Sequence, residues 1–357
     1  MATVAVLGGG YGGIAVAKAL DDVADVVLIE PREHFVHTVA ALRGLVDPQW
    51  TDRLFFPYER LLTRGRVVRD AAAAVEPGRV TLASGERIEA DYLVLATGSS
   101  YPFPAKIDVL DTAAAKAKLH STRGVLEQAD GVLLLGAGPA GLELAGEIRA
   151  AWPDKAITIV DPADDILSGR YPGELRDELR RQLSAMRVEL LLGTTLAAPP
   201  PSEPGEAKTF TAITESGSQV TADIWFRCYG IVPSSDYLVG DLAAARQANG
   251  HVEVTGHLRL PGQDRVFAIG DLTALPETKM AKAAADHADL VAANIRALEA
   301  GEPLRTYTPA APAIALPLGP SGGASYVDSM GVLGAERTAQ IKGADLRIGS
   351  YAALFGH

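Results

Sequence analysis

The chain has 357 residues, which at roughly 100–200 residues per domain suggests two or three domains. Its formal net charge of −11 makes it a poor candidate for nonspecific nucleic-acid binding, which requires basic surface. Its single cysteine, Cys228, excludes an intramolecular disulfide, a redox dithiol and a cysteine-rich zinc site.

The first residues enter a strand-like apolar run at once, with no basic region of the signal-peptide kind. Ala2 stands where the N-myristoylation pattern requires glycine. No run reaches the 18 or so apolar residues of a membrane-spanning helix. We therefore expect a cytoplasmic protein with no transmembrane segment and no metal, and peripheral contact with a membrane stays open.

Two segments, 3–30 and 131–161, repeat one pattern of strand, glycine-rich turn, helix and strand. Their strands are continuous apolar runs, as in parallel strands buried on both faces. Each turn matches G-x-G-x-x-G, in which the glycines allow the tight turn, the close approach of a pyrophosphate, and close helix–strand packing. These glycines are Gly8, Gly10 and Gly13 in the first segment and Gly136, Gly138 and Gly141 in the second.

Each of the two segments ends on an acidic residue, Glu30 or Asp161, at the distance where a carboxylate accepts hydrogen bonds from a ribose. Two such sites predict one bound flavin, FAD, and one diffusing nicotinamide nucleotide. Because a carboxylate at the position of Asp161 repels a 2′-phosphate, NADH is favoured over NADPH.

The remaining predicted elements are less regular. A β-meander lies between the two glycine-rich segments, and the tail 301–357 has little periodicity. We predict helices over 111–129, 173–186 and 278–299, and strands over 91–96, 188–192, 208–214 and 223–229.

Three further motifs resemble signatures of flavoproteins with two dinucleotide-binding domains. These motifs are Thr97-Gly98 at a strand end, Gly230-Ile-Val-Pro233, and Gly270-Asp271 after a strand. The resemblance implies that Asp271 bonds the ribityl or pyrophosphate region of the flavin. It also implies that Gly230 lies where the chain returns toward the flavin domain.

The chain more specifically resembles the ferroptosis suppressor proteins, the apoptosis-inducing-factor-like NAD(P)H:quinone oxidoreductases. The resemblance covers nearly the whole chain and is carried by 7–14, 37–43, 96–104, 140–148, 279–295 and 344–347. It places the protein in the FAD-dependent pyridine nucleotide-disulfide oxidoreductase superfamily, without the redox dithiol. Animal members carry an N-terminal myristoylation signal that this chain lacks, which puts membrane anchoring in doubt.

The expected fold is α/β, with two Rossmann-like domains arranged as in glutathione reductase and a short C-terminal α+β domain. We expect the FAD-binding domain in 1–104 and 236–300, the NAD(P)H-binding domain in 105–235, and the small C-terminal domain in 301–357.

Several side chains are candidates for binding the flavin or for assisting its reactions. Lys279 either adds positive charge to the N-terminus of the helix predicted from Thr278 or is an ordinary exposed lysine. Met280 follows it as a flavin contact or a core residue. His37 would relay a proton, or is a hydrogen-bonded structural histidine. Lys279 and His37 are the two catalytic candidates, although the flavin itself carries the chemistry.

Two more charged residues have alternative interpretations. Arg43 either contacts the flavin pyrophosphate with its planar guanidinium or forms a surface salt bridge. Glu143 either approaches the nicotinamide amide or its ribose, or is an acid that stabilises a helix N-terminus.

We therefore expect an FAD-dependent oxidoreductase that takes hydride from NADH and passes two electrons to a small acceptor, a quinone by resemblance. Two enzymatic alternatives stay open, a flavoprotein of a biosynthetic pathway and a ferredoxin-type reductase. A nucleotide-bound redox sensor is the non-enzymatic alternative. The sequence leaves open whether the protein is a monomer or a homodimer.

Overall fold

The computed structural model describes residues 1–356 and contains both predicted glycine-rich segments as strand–turn–helix units. Its strands are β1 (Thr3–Leu7), β2 (Asp25–Ile29), β3 (His34–Val36), β4 (Phe55–Pro57), β5 (Arg66–Val68), β6 (Ala72–Glu76), β7 (Arg79–Leu82), β8 (Arg87–Glu89), β9 (Tyr92–Leu95), β10 (Ser99–Ser100), β11 (Gly131–Leu135), β12 (Ala156–Asp161), β13 (Val188–Leu192), β14 (Phe210–Ile213), β15 (Gln219–Ala222), β16 (Ile224–Arg227), β17 (Val232–Pro233), β18 (Val266–Ala268), β19 (Ala313–Leu318), β20 (Gly322–Val327) and β21 (Gly331–Leu333). Its α-helices are α1 (Tyr11–Leu20), α2 (Ala41–Val46), α3 (Pro48–Thr51), α4 (Thr112–Gln128), α5 (Pro139–Ala151), α6 (Gly173–Ala185), α7 (Ala281–Ala300), α8 (Ala335–Thr338) and α9 (Ile348–Leu354).

The first sheet has the strand order β18-β9-β1-β2-β5 and is parallel throughout. Because side chains alternate along a strand, Val4 and Val6 pack on the α1 and α7 side, while Ala5 and Leu7 face the β6–β8 meander. Both faces are covered, which explains why β1 is an uninterrupted apolar run.

The second sheet has the order β13-β12-β11-β16 and is also parallel. The β14–β15 hairpin covers one face through Phe210 and Val220, which pack with Leu133 and Trp225. The other face packs on α4, α5 and α6. Two parallel sheets covered in this way confirm the predicted α/β fold class with two Rossmann-like units.

The two units are joined at several places. The short strands β10 and β17 pair antiparallel where the chain passes between the sheets. Helix α2 lies in the chain between strands β2 and β5 of the first sheet. Its Leu42 and Leu45 nevertheless pack in the apolar core around α5 of the second unit. The same core includes Leu316 and Leu318 of the antiparallel sheet β19-β20-β21. The structure therefore packs part of the first unit and the C-terminal sheet against the second unit.

Some elements differ from the sequence-based prediction. The helix expected from Thr278 begins at Ala281. The tail contains a three-stranded sheet and two short helices, as expected for a small α+β domain, although its residue pattern did not indicate the individual strands. The predicted domain boundaries stay a proposal, and His357 lies outside the described residues. Among residues 1–356, no helix has both the length and the apolar character needed to cross a membrane.

Candidate active site

The first glycine turn is built from close backbone contacts that a side chain would break. Gly8 has a φ of +99°, and a Cβ there would lie 2.6 Å from the carbonyl oxygen of Ala96. A Cβ on Gly13 would lie 1.8 Å from the carbonyl oxygen of Gly8. In contrast, the space in front of Gly10 is open to 4 Å. The first and third glycines thus shape the turn, and the second presents an unobstructed backbone.

Polar side chains hold the middle residue of this turn, Gly9, from two sides. Glu30 at the end of β2 accepts a hydrogen bond from the Gly9 N–H at 2.7 Å and another from the Arg32 N–H at 2.9 Å. The hydroxyl of Tyr58 donates to the Gly9 carbonyl oxygen at 2.8 Å. Both backbone polar groups of Gly9 are therefore satisfied by buried partners, which fixes the plane of the turn.

The second glycine turn repeats the geometry of the first. Gly136 has a φ of +115°, and a Cβ there would lie 2.9 Å from the carbonyl oxygen of Cys228. A Cβ on Gly141 would lie 2.0 Å from the carbonyl oxygen of Gly136, while the space at Gly138 is open to 4 Å. The Cys228 backbone thus packs against this turn as the Ala96 backbone packs against the first. Burial raises the pKa of its thiol to about 12.

The acid of the second unit also holds the middle residue of its turn. Asp161 accepts from the Ala137 N–H at 2.6 Å and from the Ala163 N–H at 2.8 Å. This is the relationship that Glu30 has with Gly9. The sequence predicted the two acids from their spacing, and the structure brings each to its glycine turn.

Asp271 lies in a polar cluster at the ends of the first sheet and the connecting strands. Its Oδ2 accepts from the Ser99 hydroxyl at 2.6 Å and from Lys106 Nζ at 3.1 Å. Lys106 also donates to the Ser99 carbonyl oxygen at 2.8 Å. Burial alone would raise the pKa of Asp271, but Lys106 and the Ser99 hydroxyl hold it below its usual value. Asp271 is therefore ionised and fixed in direction.

The predicted Thr97, Gly98 and Gly230 lie near the paired strands β10 and β17. Thr97 donates to the Ser234 carbonyl oxygen at 2.6 Å, and its hydroxyl lies 2.8 Å from that of Tyr237. The Ser234 N–H donates to the Gly98 carbonyl oxygen at 3.0 Å. Gly98 and Gly230 have φ values of +62° and +100° with open space beside them. These contacts tie the two passages of the chain together.

A buried histidine supports the turn that carries Asp271. The Gly270 N–H donates to His287 Nδ1 at 3.0 Å, so the ring proton is on Nε2, which lies 2.7 Å from Glu277 Oε1. The hydroxyl of Tyr307 donates to the other Glu277 oxygen at 2.8 Å. Burial lowers the pKa of His287, so the neutral ring that accepts from Gly270 is the form present near neutral pH.

Lys279 and Met280 precede helix α7. Lys279 Nζ donates to the carbonyl oxygens of Thr273 at 2.7 Å and Leu275 at 3.1 Å, and burial lowers its pKa. Met280 is the N-cap residue of α7 and has no side-chain capping bond. Lys279 therefore folds back on its own segment, and its catalytic role stays a prediction.

Two ion pairs lie where the first unit, helix α5 and the C-terminal segment meet. Arg43 binds both oxygens of Glu147, at 3.0 and 2.7 Å, and donates to the Ala344 carbonyl oxygen at 3.2 Å. Glu143 accepts from Lys342 Nζ at 2.7 Å. The structure thus gives Arg43 the salt bridge of its second interpretation, although a buried one, and its contact with a flavin pyrophosphate stays a prediction.

His37 is fully buried beside the C-terminal segment. Its Nε2 lies 2.8 Å from the carbonyl oxygen of Leu346, which only accepts, so Nε2 carries the proton and Nδ1 accepts from the Tyr11 hydroxyl at 3.1 Å. Burial lowers the pKa of His37 to about 4. Both ring nitrogens are therefore occupied, as the structural interpretation requires, and proton relay stays a prediction.

Sequence reasoning missed Lys106 and Lys342, each of which contacts a predicted site residue. It also missed Tyr58, which contacts Gly9 between two of the predicted glycines. Lys106 lies 7 residues after Ser99, and a lysine soon after a strand-end Thr-Gly pair was the available signal. Tyr58 and Lys342 lie 49 and 199 residues from their partners, and no local pattern marks them.

The two glycine turns fit dinucleotide pyrophosphates. Each presents an unobstructed backbone at its second glycine, immediately before a helix of ten or more residues whose N-terminus favours negative charge. The structure also places a carboxylate at each turn, as ribose binding requires.

Comparison with known proteins agrees with this geometry. The family model described as pyridine nucleotide-disulphide oxidoreductase matches residues 2–288. The chain belongs to this family. The protein is 33% identical over 331 residues to ferroptosis suppressor protein 1 of Taeniopygia guttata, covering 91% of this chain and 88% of that protein. It is 28% identical over 370 residues to apoptosis-inducing factor homolog B of Dictyostelium discoideum, covering 98% and 95% of the two chains.

Solved structures with a similar fold superpose over most of the chain. The sulfide:quinone oxidoreductase of Aquifex aeolicus matches with a TM-score of 0.77 at 19% identity, covering 100% of this chain and 92% of that one. NDH2 of Plasmodium falciparum in complex with NADH matches with a TM-score of 0.72 at 12% identity, covering 95% and 93%. The family model and the relatives indicate an FAD-dependent NAD(P)H oxidoreductase. The solved structures show that a similar fold extends over the whole chain.

Proposed function

We propose that the protein is an NADH:quinone oxidoreductase, with FAD at the first glycine turn and NADH at the second. The observation that carries this proposal is the repeated turn geometry, in which Glu30 and Asp161 each hold the residue after the first glycine. One site would retain its nucleotide and the other would exchange it. When bound, the flavin supplies hydride acceptance from the nicotinamide and two-electron delivery to the acceptor.

The residues around the first turn would bind and orient the flavin. Gly10 leaves room for its pyrophosphate, and Glu30 would accept hydrogen bonds from its ribose. Lys106 and Ser99 keep Asp271 ionised and directed, so that its free oxygen can accept from a hydroxyl of the ribityl chain. Such fixed polar groups orient the reacting atoms without reorganising during the reaction.

The preference for NADH would come from the charges around Asp161. The negative carboxylate disfavours a 2′-phosphate. Neighbouring arginines are engaged elsewhere, since Arg180 pairs with Asp165 at 3.1 Å and Arg176 donates to backbone carbonyls. Arg170, in the segment that follows Asp161, is exposed to solvent and is the arginine that could turn toward a 2′-phosphate. The local balance of charge supports binding of a nucleotide that ends in a ribose diol.

A quinone acceptor is supported by the family resemblance and by the fold of the sulfide:quinone oxidoreductase. The buried Cys228, with its raised pKa, faces the second glycine turn and is the sole thiol of the chain. Electrons would therefore pass from the flavin to the acceptor without a protein thiol intermediate.

A panel of acceptors tests this proposal. Turnover of the flavin-loaded protein with NADH is measured against ubiquinone analogues, menadione, benzoquinones, ferricyanide, a ferredoxin and oxygen. The proposal expects the highest kcat/KM with a quinone. A higher kcat/KM with ferredoxin, or turnover with oxygen alone, would contradict quinone as the acceptor.

A further inference from the structure

The residues 162–171, called the coenzyme loop below, run from Asp161 to helix α6 and contact the second glycine turn. Leu167 is 1% exposed and adopts a φ of +54°, a left-handed conformation that costs energy for a residue with a side chain. Such a conformation persists only where surrounding contacts impose it. The contacts of Leu167 therefore hold its backbone in this conformation.

One of those contacts reaches the glycine turn itself. The Leu167 N–H donates to the carbonyl oxygen of Ala137 at 3.0 Å, while Asp161 accepts from the Ala137 N–H at 2.6 Å. Both backbone polar groups of the middle turn residue are thus held. In the first turn the hydroxyl of Tyr58 binds the equivalent carbonyl, that of Gly9. In the second turn the backbone of a loop residue, Leu167, provides this hydrogen bond. Loops are more mobile than the elements they connect.

Arg176, on the first turns of α6, fixes this loop. Its Nε lies 3.1 Å from the carbonyl oxygens of both Ile166 and Leu167. Its two terminal nitrogens donate to the carbonyl oxygens of Tyr171 at 2.7 Å and Gly169 at 3.0 Å. A planar guanidinium with five N–H donors is the side chain suited to bind several carbonyls at once.

The far end of the coenzyme loop reaches the first unit. The hydroxyl of Tyr171 lies 3.2 Å from that of Thr278, in the segment just before Lys279. The loop therefore connects Asp161, the second glycine turn and the approach to α7. Arg176 binds the loop between these points and touches neither the turn nor the acid.

We propose that Arg176 is a positioning residue that orders the coenzyme loop and so sets the affinity for the nicotinamide nucleotide. This inference rests on the proposed function, because it assigns the second glycine turn to that nucleotide. Without Arg176, the left-handed Leu167 relaxes, the Ala137 carbonyl loses its donor, and the turn is correctly shaped in only part of the molecules. The apparent dissociation constant rises in inverse proportion to that fraction.

The test compares Arg176→Gln and Arg176→Lys with the matched control Arg181→Gln in the flavin-loaded protein. Arg181 is on the same helix, is 67% exposed and pairs with Glu178, away from the loop. NADH dissociation constants come from the concentration dependence of flavin reduction under anaerobic conditions. If about one molecule in ten keeps the ordered turn, Arg176→Gln raises the dissociation constant about tenfold. Arg176→Lys gives a smaller rise, and the control none.

Two further readouts separate positioning from a merely structural role. The reduction rate at saturating NADH and the reoxidation rate by the acceptor stay unchanged in Arg176→Gln. Trypsin cleavage after the exposed Arg170 becomes faster in this variant, and NADH slows it.

An Arg176→Gln protein that binds NADH as tightly as Arg181→Gln would overturn the inference. If Arg176→Gln does not fold, an Arg176→Lys protein with wild-type NADH affinity would overturn it equally. A wild-type flavoprotein that does not bind NADH would contradict the proposed function, whereas normal wild-type binding with unaffected variants contradicts only the role of Arg176.

Discussion

Arg43 and Glu147 form a bidentate ion pair that is almost fully buried, with 3% and 4% of the two residues exposed. Arg43 is on α2 and Glu147 on α5, so the pair joins the two dinucleotide-binding units. Burial raises the pKa of Glu147, and the guanidinium of Arg43 opposes that rise. Each charge is tolerated in this place because the other neutralises it.

Removing one charge of this pair should therefore destabilise the protein strongly. Glu147→Gln leaves the Arg43 guanidinium buried without its counter-charge, and we expect the free energy of unfolding to fall by about 3–5 kcal/mol. Urea unfolding of the flavin-loaded protein measures this. The control is Lys282→Met, which removes an exposed pair with Asp286 and should cost about 0.3–0.5 kcal/mol. Equal losses of unfolding free energy in the two variants would refute a strong stabilising role for the buried Arg43–Glu147 pair.

The glycine turns allow the two nucleotide sites to be separated by matched substitutions. Gly10→Ala and Gly138→Ala each place a methyl group in open space, so both proteins should fold. We expect Gly10→Ala to be purified with little FAD. Gly138→Ala should retain FAD but bind NADH more weakly. Flavin absorbance and NADH titration measure the two effects, and loss of flavin from Gly138→Ala would reverse the assignment.

Asp161 should control the choice of nucleotide. Asp161→Ala removes the charge that repels a 2′-phosphate. The ratio of kcat/KM for NADPH to that for NADH should therefore rise about tenfold or more, which corresponds to about 1.36 kcal/mol of relative transition-state stabilisation. The control is Asp154→Ala, whose carboxylate is 97% exposed at the opposite end of α5 from the glycine turn. A wild-type protein that uses NADPH as well as NADH would disprove this account of specificity.

His37 should make the stability of the protein depend on pH. Its pKa of about 4 in the folded state lies below the 6.5 of an unperturbed histidine. The unfolded state therefore binds more protons between these values, and the free energy of unfolding falls as the pH decreases from about 6.5 to 4, by up to about 3 kcal/mol.

The pH dependence of urea unfolding, compared between wild type and His37→Gln, measures this contribution. Subtraction is necessary because burial lowers the pKa of His287 as well and gives a slope of the same sign. The variant should be less stable at pH 7 and show a shallower decline. An identical slope in both proteins would mean that His37 has the same pKa in the folded and unfolded states, which would contradict its lowered pKa.

The sequence was sufficient to predict the glycine turns, their acids and the parallel strands that carry them. These features depend on local constraints, such as the positive φ of Gly8 and the uninterrupted apolar residues of β1. A strand–turn–helix unit of this kind leaves its pattern within about thirty residues.

Other features depend on contacts between distant parts of the chain. The pairing of Glu143 with Lys342 spans 199 residues, and that of Arg43 with Glu147 spans 104. Local sequence shows only that these residues are charged. The helical residue pattern predicts a start of α7 at Thr278, but Lys279 binds carbonyl oxygens of its own segment and the helix begins at Ala281.

Anaerobic rapid mixing of the flavin-loaded protein with NADH, followed by a quinone, tests the central claim most directly. The account predicts that NADH bleaches the visible flavin absorbance in a saturable step and that the quinone restores it within a single turnover. A flavin that stays oxidised in excess NADH would contradict the assignment of the second glycine turn to this nucleotide. A reduced flavin that no quinone reoxidises would contradict the proposed acceptor.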